Sequence, residues 1–203
     1  LAAWCNISGG MLEYSYHSNH LYLNDELITD LVIPDGVTKI GDYAFYNCFE
    51  LTSITIPSSV TKIGVGAFFS CRSLTSITIP ASVTKIKEHA FSGCSEITSL
   101  TLPEGLTEIE EFAFDGCYSL TTVTIPNSVT EIGKGMFYGC AGLNAVTLPS
   151  SIKSIGNNTF TDCISLTAIN YIGAKEQWVK INFDTNWKEY SKIQVIRCSN
   201  GEI

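Results

Sequence analysis

The chain has 203 residues, 45% of them apolar, and its 20 acidic against 12 basic side chains leave a net charge of −8. That apolar content is ample for one buried core. An acidic surface repels phosphate, so nucleic acid and anionic membrane are poor partners, and a basic protein patch or a cation is the better match.

In chain order, residues 1–27 precede any regular pattern. Residues 12–16 and 21–24 flank a polar turn at 17–20, which predicts a hairpin covering the N-terminal end. From Ile28 a period of 23 takes over: Pro34, Pro57, Pro80, Pro103, Pro126 and Pro149 keep it, as do Cys48, Cys71, Cys94, Cys117, Cys140 and Cys163. A fixed period of this length means one supersecondary unit repeated, each copy burying its apolar face against its neighbours. The expected fold is a β-rich solenoid, a single right-handed curved stack of about seven coils with parallel strands.

Within a coil such as Leu74-Thr75-Ser76-Ile77-Thr78-Ile79, alternating apolar and β-branched residues suit a strand with one buried face. Pro80 ends it, since proline cannot donate to a ladder and belongs at a corner. Val83-Thr84-Lys85-Ile86 predicts a second extended piece, and an Ala-Phe turn ending in cysteine closes the coil. The Phe column, Phe45, Phe68, Phe91, Phe114, Phe137 and Phe160, is the candidate core, together with the columns of Leu, Ile and Val. After Leu166 the period fails. Residues 174–183 predict a short amphipathic helix with Trp178 and Ile181 facing the last coil, and 193–198 a final strand. The expected organisation is an N-terminal hairpin cap over 1–27, the solenoid over 28–170 and a C-terminal α/β cap over 171–203, because an open stack exposes strand edges that need covers.

The repeated pattern Leu-x-x-Ile-x-Ile-Pro followed by Val-Thr-x-Ile-Gly-x-x-Ala-Phe-x-x-Cys resembles the BspA-like leucine-rich repeats of bacterial cell-surface proteins, over residues 28–170. The stretch from Tyr171 through Trp187 to Gly201 is also similar to the ends of such proteins. The resemblance implies an extracellular or cell-surface location and an adhesion or interaction role toward a host or neighbouring-cell protein. It names no ligand and no cofactor.

Equivalent cysteines of adjacent coils lie close, but their side chains point the same way, a poor match to disulfide torsion. They are expected to form a buried ladder of free thiols, acting as small hydrophobes. Spacings of 23 do not bring zinc ligands together, and Cys5 and Cys198 fall at opposite ends of the stack. No run of 18 or more apolar residues is present, so no membrane insertion is expected. No signal-peptide pattern is present either, and an exported chain is expected to have lost it or to carry it ahead of Leu1.

Residues 88–133 carry Glu88, Glu96, Glu104, Glu108, Glu110, Glu111, Asp115 and Glu131 without one Lys or Arg. Two surfaces follow as candidates. Tyr43, Tyr46, Phe49, Phe69 and Arg72 are of the types that recognition patches favour, and on the first coils would form one. Glu104, Glu108, Glu111 and Asp115 on the middle coils would form the other, facing a basic partner. The bland readings are aromatic rings tucked under the next turn and a solvated acidic face. The Thr52, Thr75, Thr98, Thr121 ladder suits an exposed strand face and reads as structural. Catalysis is not expected: His89 adjoins Glu88, but no nucleophile elbow accompanies it. The expected role is protein binding through a broad solenoid face. The alternatives are a spacer displaying another domain, and carbohydrate binding by Trp178 and Trp187.

Overall fold

A computed structural model describes residues 21–23 and 26–203. Seven coils begin at Ile28, Leu51, Leu74, Ile97, Leu120, Leu143 and Leu166, and each lays its chain along the walls of a narrow column. On the first wall, parallel strands Asp30–Val32 and Ser53–Thr55 pair, and Ser76–Thr78, Ser99–Thr101, Thr122–Thr124, Ala145–Leu148, Ala168–Tyr171 and Val195–Cys198 continue the wall as a second ladder. On the second wall, Lys39–Ile40, Lys62–Ile63, Lys85–Ile86 and Glu108–Ile109 pair in parallel, as do Glu131–Ile132, Ser154–Ile155 and Asn182–Phe183. The third wall is the Ala-Phe turn. It has no strand, yet it is the most evenly bonded of the three: each of the first five coils donates three backbone N–H groups to the next, as from Phe112, Phe114 and Gly116 to Lys134, Met136 and Tyr138.

The expected core columns are buried. Phe45, Phe68, Phe91, Phe114, Phe137 and Phe160 are fully enclosed, and their rings stack face to face at 5.2 to 5.9 Å between centroids. The six cysteines of the column, Cys48, Cys71, Cys94, Cys117, Cys140 and Cys163, are buried and free. Each thiol after the first donates to the Phe carbonyl of the coil before it, as from Cys94 Sγ to Phe68 O at 3.1 Å, so the thiol both fills space and satisfies a buried acceptor. The threonine ladder is structural in the same way: Thr52, Thr75, Thr98 and Thr121 donate their hydroxyls to the carbonyl one coil back.

The last part of the chain differs from expectation. The helix is confined to Lys175–Trp178, and Asn182–Phe183 is a strand, not the end of a helix. The reason is the second-wall ladder, which takes Asn182 and Phe183 beside Ser154 and Ile155. The chain from 171 onward therefore adds further strands to both walls, with Trp178 buried beside Tyr171 and Phe183. Gly201–Glu202 then folds back antiparallel along Val195–Cys198. Near the other end, Tyr22–Leu23 pairs antiparallel with Glu26–Leu27; the expected hairpin arm at 12–16, and Cys5, lie outside the described residues.

Candidate functional site

The turn wall carries a feature that periodicity alone does not announce. Each coil places two residues in the left-handed backbone region, four apart. The first column of these runs Tyr43, Gly66, His89, Phe112, Gly135, Asn158 and Asn186, with φ between 53° and 60°. Glycine accepts this conformation without cost, whereas a bulky side chain is strained there by roughly 1 to 2 kcal/mol. Gly66 and Gly135 are required for a second reason: a Cβ at Gly66 would stand 2.7 Å from the Tyr43 ring, and one at Gly135 would strike the ring of Phe112. Rings from one coil thus lie over glycines of the next.

The outcome is a continuous row of aromatic faces. Tyr43 meets Tyr46 edge-on at 5.9 Å, Tyr46 stacks on Phe69 at 5.0 Å, Phe69 meets the His89 ring at 6.1 Å, and His89 stacks on Phe112 at 5.1 Å. Beside it, the Arg72 guanidinium lies 5.0 Å over Phe49, and Lys134 lies 5.5 Å over Phe112. Tyr43 is 51% and Tyr46 36% exposed, and Phe49 and Phe69 are half-buried. Of the expected aromatic patch, Tyr43, Tyr46 and Phe69 share this row, whereas Phe49 and Arg72 pair with each other just after the turn cysteines. His89 and Phe112 extend the row, and the sequence reading did not include them; reading the Tyr43 column at the 23-residue period would have found both.

The four acids expected to form one surface sit on different sides of the coil. Glu104 sits at the corner after the first wall, where it accepts the Asn127 N–H at 3.1 Å. Glu108 stands on the second wall, 2.8 Å from Lys85 and 3.0 Å from Lys87, and hydrogen bonds from those two lysines hold its carboxyl down at about 2. Lys87 also pairs with Glu110, so the block's acids draw cations from the preceding coil. Only Glu111 and Asp115 reach the turn wall. Burial pushes the Asp115 carboxyl up, against the opposing pull of Ser92 and His89, and His89 Nδ1 lies 3.6 Å from it. Ser92 is only 3% exposed, so this His, Asp and Ser group presents no hydroxyl to a substrate. Among the described residues no cluster of His, Cys, Asp or Glu has the arrangement of a metal site. Trp178 is 6% exposed and Trp187 half-buried against Phe160, which leaves the C-terminal tryptophans little free face for a sugar ring.

A family model for the BspA type leucine rich repeat region matches in six copies, over residues 17–121 and 63–192. A solved leucine-rich-repeat protein from T. pallidum is 37% identical, with 70% of this chain aligned to 68% of that one at a TM-score of 0.67. One from Bacteroides ovatus is 26% identical over 84% of this chain and 55% of its own, with a TM-score of 0.61, so this chain spans about half of that relative. The pneumococcal vaccine antigen PcpA, at 19% identity over 85% of this chain and 43% of its own, shares the fold with a TM-score of 0.65. The search of curated proteins gave no significant match. The chain belongs to the BspA-type leucine-rich-repeat family.

Proposed function

We propose that this protein is a non-enzymatic binding module of the bacterial cell surface or exterior, and that it holds an extracellular or host-surface protein against its turn wall. The observation that carries the reading is the aromatic row from Tyr43 to Phe112, exposed at Tyr43 and Tyr46 and half-buried beyond them, mounted on the wall with the most regular backbone bonding. Tyrosine supplies a large contact area at low entropic cost and arginine a planar fork of donors, and binding hot spots favour both. A rigid platform also lowers the ordering cost of association. Family membership supports the surface location.

The test is capture of purified extracellular-matrix and cell-surface proteins by the whole chain, repeated with Tyr46→Ala and with Arg72→Ala after both are shown to fold. Loss of a captured partner in either variant supports the module. A partner held equally well by both variants refutes the wall as its site. No partner at micromolar concentration makes a spacer that displays another domain the better account.

A further inference from the structure

Past the third coil the turn wall changes its chemistry. Backbone bonds from Gly93 to Asp115, Gly116 to Tyr138, Gly139 to Thr161 and Asp162 to Glu189, at 2.8 to 3.0 Å, align Asp115, Tyr138, Thr161 and Glu189 on successive coils. Tyr138 is 38% exposed in this column. The Asp162 carboxylate raises its phenol most, with Asp115 and Glu189 adding to the effect, so acids of three other coils act on one hydroxyl. Tyr118, 59% exposed, lies one coil before Tyr138, and Tyr190, 71% exposed, follows Glu189 in the last coil. The Tyr118 ring reaches over Gly139, where an added Cβ would touch it at 3.9 Å. Nearby cations are turned to other rings, Lys134 to Phe112 and Lys188 to Trp187.

We propose that Asp115, Tyr118, Tyr138, Asp162, Glu189 and Tyr190 form a docking surface for a polypeptide segment that carries arginine or lysine. Asp162 and Glu189, one coil apart, offer charge-assisted hydrogen bonds to successive cations, and Asp115 adds a third carboxylate two coils earlier. The exposed phenol rings offer faces for a guanidinium and its apolar stem. An acidic or phosphate-bearing partner meets repulsion on the same ground. The chain already uses this chemistry within itself, in Arg72 over Phe49 and Lys134 over Phe112. The inference rests on the reading of the turn wall as a protein-binding face, and adds the partner's charge and its seat on the later coils.

Fluorescence polarisation with a labelled (Gly-Arg)5 peptide tests it, with (Gly-Glu)5 as the opposite-charge probe. The variant D162N/E189Q removes two carboxylates from the surface, and asparagine tolerates the left-handed φ of 60° at position 162. The control D35N/E131Q removes the same charge from exposed positions on other walls. We expect (Gly-Arg)5 to bind and to weaken about fivefold or more in D162N/E189Q, against less than about twofold in the control. Equal loss in both variants would reduce the effect to the diffuse field of an acidic chain and overturn the proposal. So would equal binding of the two peptides, or no binding of (Gly-Arg)5 at about 1 mM. If one of these occurs while Tyr46→Ala still abolishes capture of a protein partner, the wall remains a binding face and only the basic chemistry fails. If capture is also unaffected, both readings fall.

Discussion

Raising the pH from 7 to 9.5 is expected to remove much of the stability of this fold, because of its thiol column. Cys48, Cys71, Cys94, Cys117, Cys140 and Cys163 are buried and free. Burial pushes Cys48 and Cys163 up to about 12, and the four between them well above the ordinary thiol value of 9.0. The unfolded chain therefore releases these protons first. The contribution of each thiol is fully present below its unfolded value and is lost as the pH climbs from there toward the folded one. The loss per thiol is about 0.4 kcal/mol at pH 9 and about 0.8 kcal/mol at pH 9.5, which for the six together is roughly 2.5 and then 5 kcal/mol. That is a large part of the 5 to 15 kcal/mol typical of a domain.

Urea unfolding followed by circular dichroism, in reductant at pH 7, 8.5, 9 and 9.5, reads this directly while staying below the tyrosine range. Replacing Cys94 and Cys117 with alanine should lower overall stability yet cut the pH slope by about a third, since two of six linked protons are gone. A urea midpoint that stays flat to pH 9.5, or a slope unchanged in the double variant, would refute the claim that these thiols are sealed from water in the fold.

Phe91→Ala removes a fully buried ring stacked 5.2 Å from Phe68 and 5.5 Å from Phe114; we expect a loss of about 3 to 5 kcal/mol in chemical denaturation, and under about 1 kcal/mol would mean the column is not core. Gly135→Ala should cost about 2 kcal/mol, from the left-handed backbone and the displaced Phe112 ring, and adding Phe112→Ala should recover part of it. Strict additivity of the two changes would show that the ring does not cover Gly135.

The repeat made the core legible because every coil buries the same side chains at the same offset, so Phe, Cys and Leu recur where burial demands them. The turn wall escaped because its left-handed column tolerates several residue types: tyrosine, glycine, histidine, phenylalanine and asparagine all occupy it. Side-chain identity there reports what lies over the next coil, which only stacking reveals. The acid block misled for a related reason. Neighbours in sequence such as Glu104, Glu108 and Glu111 occupy three different sides of the coil, while the lysines that neutralise Glu108 belong to the coil before it. At the C-terminal end, the offset between paired strands grows from 23 residues to 28 at Ile155 and Phe183 and to 27 at Ile169 and Ile196, so a continuing ladder did not show as a period.

The choice between a spacer and a binding module turns on Tyr43, His89 and Phe112. Glycine fills the same left-handed column at Gly66 and Gly135 with the coil geometry preserved, so the stack itself does not need a ring at any of these positions. Each ring costs backbone strain of roughly 1 to 2 kcal/mol. Core burial does not offset that at Tyr43, which is 51% exposed. Part of it is recovered by the ring contacts along the row, from Tyr46 through Phe69 to Phe112, but those contacts exist only because the rings are there. A spacer would be served as well by glycine throughout. Strained bulky residues that build a partly solvent-facing aromatic row are the kind of local exception that functional surfaces carry, and on this wall they favour a partner.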